Sequence, residues 1–414
     1  MAAMALDRSE ALRLLILGAR QAQRPLFEAA QRLGVDVLVA DPDPRAPCFA
    51  LAEQSWVGDL ADMAGLLAFA HDGRIDGVLT VAADFPMPAL AQIAQALGLP
   101  GPSPEAVRRA THKAAMRAAF EAAGLPSPVS VLCESAESLI QAVRGFGRDA
   151  IVKPVQSSGG RGVTEVDLTA SDAQLQAAYA YAAAHTLGRR GVLAEHCVRG
   201  PEYSVEGLVW GGRCEILAVT DKLTSGAPHH VEIGHHQPAS LNIEQTQQLE
   251  ALASAAAQAL GLADCALHVE IRRSPEGPVL IECAARAGGG CITSRLVPLS
   301  TGVDLMEACI QVALGREPDL RPRRPGGACA VRFLTAEPGT LQVYEGLERA
   351  RVMPGVVEVE TYLTSGSLVH ELRDATARCG HVICHCPGQL DEAAVRRAVE
   401  QAEAARDAIL VRTQ

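Results

Sequence analysis

The sequence predicts a protein of mixed α/β and α+β architecture, divided into several domains. Three observations carry that expectation: β-α-β alternation near the N-terminus, a compact strand-and-helix stretch in the middle, and a long hairpin in a third region. At 414 residues the chain exceeds the roughly 250 to 300 residues at which a single core stops growing, so two or three domains are expected.

The apolar run Leu12 to Leu17 ends at Gly18, an Ala-rich helical stretch follows from Pro25 to Leu33, and Val35 to Ala40 leads to Asp41. A further run from Gly77 to Val81 ends near Asp84 and precedes a helical stretch from Ala89 to Leu97. This is the pattern of a small open parallel sheet, whose ligands gather at the carboxyl ends of its strands. A dinucleotide fingerprint needs three glycines after the first strand, and Gly18-Ala19-Arg20-Gln21-Ala22-Gln23 supplies one. Ser103 before Pro104 reads as a helix cap, Gly124 closes the next helix, and Pro126 to Pro128 marks a boundary. From Val129 to Arg199 the pattern is strand, helix, strand, loop, strand, helix, strand, enough for a separate α+β lid. The third region, from Pro201, holds strands at Glu202 to Val209 and Cys214 to Val219, a helix at Glu244 to Leu260, and a hairpin at Ala266 to Ala285. Arg321 to Gly327 reads as a linker into a final α+β stretch.

Charge narrows the function classes. With 37 Lys+Arg against 48 Asp+Glu the net charge is −11, unsuited to generic nucleic-acid binding. Met1 to Glu10 has no basic leader region, and no apolar run approaches the roughly 18 residues that span a bilayer, so a cytoplasmic protein without membrane partners is expected. Its 12 cysteines are then expected to be thiols.

Two segments carry chemistry. In Ala150-Ile151-Val152-Lys153-Pro154 a strand delivers a lysine, and Gln156-Ser157-Ser158-Gly159-Gly160-Arg161-Gly162 follows as a flexible loop before a returning strand. Backbone donors, hydroxyls and a cation suit a phosphate, yet here the lysine precedes the glycines, unlike a Walker loop. The second segment is the hairpin. If it is symmetric about Glu276, Glu270 and Glu282 stand opposite each other. Such a pair is repulsive, so one carboxyl is protonated or a cation sits between them, and hard divalent ions take carboxylate oxygens. Arg286, with Gly288 and Gly289 behind it, leaves the same strand and suits a carboxylate or acyl phosphate. Cys379 to Cys386 alternates as an ordinary strand, with Cys384 and Cys386 on one face, and is read as structural and not as a zinc site. His229, His230, His235 and His236 cluster in the third region, where one could orient an incoming amine.

Taken in order, Lys113, Val152-Lys153-Pro154, Ser158-Gly159-Gly160-Arg161-Gly162, Glu195, Gly200-Pro201-Glu202-Tyr203-Ser204-Val205-Glu206, Glu270, and Glu282 with Arg286-Ala287-Gly288-Gly289 resemble the ATP-grasp superfamily. The resemblance implies an ATP-grasp fold: a Rossmann-like preATP-grasp domain over residues 1–112, a lid over 113–200, a catalytic domain over 201–315 and its α+β extension over 316–414. It implies that Lys113 and Lys153 contact ATP phosphates and that Ser157, Ser158, Gly159, Gly160, Arg161 and Gly162 close over them. Glu195 with His196, Cys197 and Val198 would line the adenine site, and Glu202 would take the ribose. Glu270 and Glu282 would ligate Mg²⁺, for which Mn²⁺ could substitute. Arg286 would hold the substrate carboxylate or acyl phosphate, with Gly288, Gly289, His235 and His236 as further substrate contacts. Many members carry Asn where this chain has Ala284, so a second metal would be held differently.

The Glu-x-Ala-x-Arg form, together with Gly234-His235-His236-Gln237-Pro238-Ala239, is similar to amino-acid ligases that make dipeptides. The implied reaction is activation of a small-molecule carboxylate as an acyl phosphate, followed by attack of an amine. Rival readings are a bicarbonate-activating carboxylase of the biotin carboxylase type and an ATP-binding regulatory protein without turnover. A homodimer is compatible with the resemblance, since dimers are common among the lookalikes.

Overall fold

The computed structural model describes residues 11–187 and 191–414; the stretch Met1 to Glu10 read above lies outside them. Strands β1 (Arg13–Leu17), β2 (Asp36–Asp41), β3 (Gln54–Val57) and β4 (Gly77–Leu79) form a parallel sheet in the order β3-β2-β1-β4. Leu14 to Leu17 are fully buried, which is why β1 reads as an unbroken apolar run and not as an alternation. Strand β3 and the helix Met63–Asp72 were not foreseen: Gln54-Ser55-Trp56-Val57 is a mostly exposed edge strand without an apolar signature. Because β2 and β3 lie to one side of β1 and β4 to the other, the strand order reverses between β1 and β4. A crevice opens there at the strands' carboxyl ends.

The second sheet, in the order β5-β8-β6-β7, comprises β5 (Ser130–Cys133), β6 (Ala150–Pro154), β7 (Thr164–Val166) and β8 (Val192–His196). Helices Ala136–Phe146 and Asp172–Ala184, each begun by a serine cap, pack on it through Leu139, Val143 and Leu175.

The remaining chain builds an eight-stranded antiparallel sheet. It contains β9 (Glu202–Trp210), β10 (Arg213–Thr224), β11 (Glu232–Gln237), β12 (Cys265–Ser274), β13 (Gly277–Ala284) and β14 (Gly327–Leu334). After β15 (Gly339–Glu345), β16 (Val356–Thr361) and β17 (Leu368–Val369) the chain adds β18 (Gly380–Pro387), giving the order β13-β12-β9-β10-β11-β14-β18-β16. The final stretch therefore extends the large sheet edge to edge, and β19 (Leu410–Thr413) completes a small sheet with β15 and β17. One core joins the N-terminal sheet to the large one, with Leu15 and Leu17 in the same cluster as Leu267, Val269 and Leu280. Burying a leucine of this kind contributes ~1.5–3 kcal/mol. A parallel bridge between Val81 and Ala287 and the bond from Ala82 N to Ala287 O (3.1 Å) stitch the end of β4 to the loop after β13. Among the described residues no single helix is long and apolar enough to cross a membrane.

Candidate active site

A cavity of about 330 Å³ lies between the β5–β8 sheet and the large sheet. One wall is the β12–β13 hairpin, where Glu270 and Glu282 are register partners. The pairing matches the symmetry argument but is reached differently. The turn is Pro275-Glu276 between Ser274 and Gly277, and Ile281 is an extra residue that shifts the register by one. The bulged carbonyl of Ile281 accepts from Arg117 Nη2 at 2.6 Å.

Each facing carboxylate has its own lysine. Lys222 Nζ lies 2.6 Å from Glu270, 2.8 Å from Glu202 and 2.9 Å from Glu232, while Lys113 Nζ lies 3.1 Å from Glu282. Burial works to raise the Glu270 pKa, but Lys222 and His268 hold it well below the usual carboxylate range. Glu232 is likewise held down by Lys222 against its burial. Lys222 and Lys113 keep raised values despite burial because of these carboxylates. Two carboxylates on one face of one wall, both bordering the cavity, are a donor set that suits a hard divalent ion. Ala284 adds no ligand atom.

The floor is a buried charge cluster. Glu195 is 2% exposed, with Oε1 2.8 Å from Arg117 and Oε2 2.6 Å from Lys153. Its carboxylate is paired with both cations and borders the cavity beside His196. Burial, with Arg117 and Lys113 nearby, lowers the Lys153 pKa even beside Glu195. Of the connector residues, His196 and Val198 face the cavity, while Cys197 is buried and turned from it. Glu202 lies at the cavity edge, held by Lys222 and by Arg272 at 2.9 Å.

The glycine loop between β6 and β7 covers the other side, with Ser157 to Arg161 facing the cavity. Gly159, Gly160 and Gly162 have φ of 67°, 75° and 77°, a region that disfavours side chains. Gly162 does not face the cavity; a Cβ there would stand 2.6 Å from Pro154. Arg161 folds back onto Ser158, 3.0 Å from its carbonyl and 3.0 Å from its hydroxyl. His229 and His230 hold the returning strand, His229 Nδ1 at 2.9 Å from Val163 O and His230 Nε2 at 2.5 Å from Glu165.

Strand alternation separates the other two histidines, and neither faces the cavity. His235 is buried behind Gly290, and desolvation takes its pKa down to about 3. His236 turns to Ser240 (3.1 Å) and Asp221 (3.6 Å), with burial lowering its pKa to about 4. Arg286 is gripped by Asp84 at 2.7 and 2.9 Å, from the end of β4. Gly289 borders the cavity and Gly288 backs His268, whose ring a Cβ would meet at 2.6 Å. Cys384 is fully buried, Cys386 Sγ lies 3.6 Å from Gln401, and His381 is taken by Tyr362 (2.7 Å) and Glu358 (2.8 Å).

Sequence reasoning missed several site residues. His268 sits between Glu206 (2.8 Å) and Glu270 (3.5 Å), and although burial opposes it, Glu206 raises its pKa to about 10. Its signal was available, since His268-Val269-Glu270 alternates and puts His268 on the glutamate's face. Lys222, Glu232, Asp84 and Arg117 depend on long-range pairing and gave no local signal.

A family model described as an ATP-grasp domain matches residues 146–295, and one described as a ribonucleotide synthetase preATP-grasp domain matches residues 12–110. The chain belongs to the ATP-grasp superfamily. It is an ATP-grasp enzyme of a ligase family whose members use ATP with a divalent metal. A third model, L-amino acid ligase C-terminal domain 2, matches residues 332–414. Among relatives, the formate-dependent phosphoribosylglycinamide formyltransferase of Pectobacterium carotovorum is 32% identical over 254 residues, 61% of each chain. The L-arginine-specific L-amino acid ligase of Bacillus subtilis is 24% identical over 67% of this chain and 68% of its own length. The crystal structure of an L-amino acid ligase from Bacillus licheniformis shares the fold, with a TM-score of 0.83 and 22% identity over 98% of this ATP-grasp chain and 100% of that one.

Proposed function

We propose that this enzyme phosphorylates a carboxylate with Mg-ATP and joins the resulting acyl group to an amine, with amino acids as the substrate class. The observation that carries this reading is the convergence on one cavity of paired glutamates, three buried lysines and a glycine loop. The match of residues 332–414 to an amino-acid ligase domain favours amino acids over bicarbonate or formate.

On this reading residues 1–112 are the preATP-grasp unit, 113–200 the lid, 201–315 the catalytic domain and 316–414 its extension. A substrate carboxylate oxygen attacks the γ-phosphorus and ADP leaves. The amine nitrogen then attacks the acyl carbon, phosphate leaves, and the nitrogen gives up a proton. Lys113 and Lys153 stand where they would offset charge on the phosphates, and Ser157 to Arg161 would close over them and exclude water that would hydrolyse the acyl phosphate. Glu270 and Glu282 would hold Mg²⁺, which would supply charge neutralisation to the transferring group. Arg286, fixed by Asp84, would face the acyl phosphate. The test is phosphate release and product mass over paired amino acids, with Mg²⁺ or Mn²⁺ and ATP. Amino-acid-dependent release with a dipeptide product is expected. Release that requires only bicarbonate, or ATP binding without release for any pair, would overturn the reading.

A further inference from the structure

A second cavity, of about 610 Å³, adjoins the first across Gly289 and Gly290. It opens at the carboxyl ends of β1 and β4, where the strand order reverses, and Ala22 and Ala82 from those ends face both cavities. Open parallel sheets bind ligands at this position. A molecule seated there would lie beside the end of the first cavity bordered by Arg286 and Gly289, where an acyl phosphate would form.

Arg378 is the charged residue that faces both cavities. It is 6% exposed and comes from the segment just before β18. Its Nε donates to Glu232 O at 3.0 Å, its Nη2 donates to the Glu232 carboxylate at 2.8 Å, and the guanidinium stacks 3.9 Å above the Phe333 ring. Among the described residues Nη1 makes no hydrogen bond. Glu232 also serves Lys222 at 2.9 Å, so one carboxylate is divided between two buried cations. Of the other arginines bordering the second cavity, Arg295 is paired with Glu358 at 2.8 Å, and Arg24 is half exposed and paired with Glu28 at 3.0 Å. A fixed guanidinium with an unspent donor and half a counterion is a receptor for a carboxylate. Arg286 does not offer this, since its Nε and Nη2 are paired with Asp84 and its Nη1 donates to Ala287 O at 3.4 Å.

We infer that Arg378 binds the carboxylate of the amine-donating substrate in the second cavity, and so selects an amino acid over a bare amine. This rests on the ligase reading above and adds the residue that reads the second substrate. Glu358 and Glu360 also line this cavity, Glu358 held by Arg295 and His381 and Glu360 by Gln21 Nε2 at 2.9 Å.

The experiment compares KM for the best amino-acid acceptor of the phosphate-release screen with KM for its carboxamide, in the wild type, Arg378→Met and Arg378→Lys. The wild type is expected to prefer the acid. Arg378→Met should raise KM for the acid by about tenfold or more, with the amide's KM and both kcat values changed by less than about threefold. Arg378→Lys, which keeps the buried charge and guards against a folding defect in the methionine variant, should retain part of the discrimination. Parallel rises for acid and amide, or an unchanged KM for the acid in both variants, would overturn the assignment while leaving the ligase reading intact. Absence of turnover by the wild type with every amino acid would overturn both.

Discussion

The β12–β13 hairpin and the Ser157–Gly162 loop face each other across one cavity and are built by opposite means. The hairpin lies in an eight-stranded sheet, its glutamates are register partners, and each is fixed by a buried lysine. The loop has three glycines with positive φ and is held at its margins by Ala375 N to Gly159 O (3.2 Å), His229 and His230. Charge that must act at one point is placed on backbone that cannot shift. On the proposed reading the cover, carried on three glycines with positive φ, is the part that would open to admit ATP. Damage to the wall should therefore remove chemistry, and damage to the loop should alter binding and leakage to water.

The largest expected effect is from Glu282→Ala, which leaves Lys113 buried without its carboxylate and removes half of the facing pair. Phosphate release should fall by at least about a hundredfold. Retained turnover would break the comparison. Next is Arg117→Met beneath the wall, which strips Glu195 of one of two cations and should cost roughly 3–5 kcal/mol of stability by denaturant melting.

Acid sensitivity sharpens the contrast further. Burial works to raise the Glu195 pKa, but Arg117 and Lys153 hold it below its ordinary value, and Arg199 and His230 do the same for Glu165 beside the loop. For both, the folded value lies below the unfolded one. Their stabilisation is thus complete above the unfolded carboxylate pKa and is lost as pH falls from there through the folded values. Thermal melts between about pH 5 and 3 should show a shallower decline in Glu195→Gln than in the wild type, and a smaller change in slope for the more exposed Glu165→Gln. The smallest effects belong to the glycines. Gly160→Ala meets open space and carries only the ~1–2 kcal/mol of a left-handed side chain, whereas Gly162→Ala also meets Pro154 at 2.6 Å and His185 at 2.9 Å. Gly162→Ala should raise KM for ATP more than Gly160→Ala.

The sequence was most informative where chemistry and local pattern coincide. Lys153 before its glycines, and Glu270 with Glu282 around a turn, are readable because strand alternation and hairpin closure fix their relation within a few residues. The pair was found even though the turn centre was misjudged, because the bulge at Ile281 restored the register. What failed to show was set by distant pairing. Lys222 reaches Glu270 only because β10 and β12 flank β9, and Asp84 reaches Arg286 only because β4 ends against the loop after β13. Edge strand β3 was missed because it is four residues long and mostly exposed. The histidine cluster divided for a simple reason: His235 and His236 point to opposite faces of β11, while His229 and His230 precede it in the loop that grips β7.

The central claim is that Glu270 and Glu282 share a divalent ion beneath the nucleotide. Calorimetric titration of ATP into wild type and Glu270→Gln, each with and without Mg²⁺, tests it directly. Mg²⁺ is expected to strengthen ATP binding to the wild type, and this gain to be lost in the variant while metal-free binding persists. An equal gain from Mg²⁺ in both proteins would contradict it.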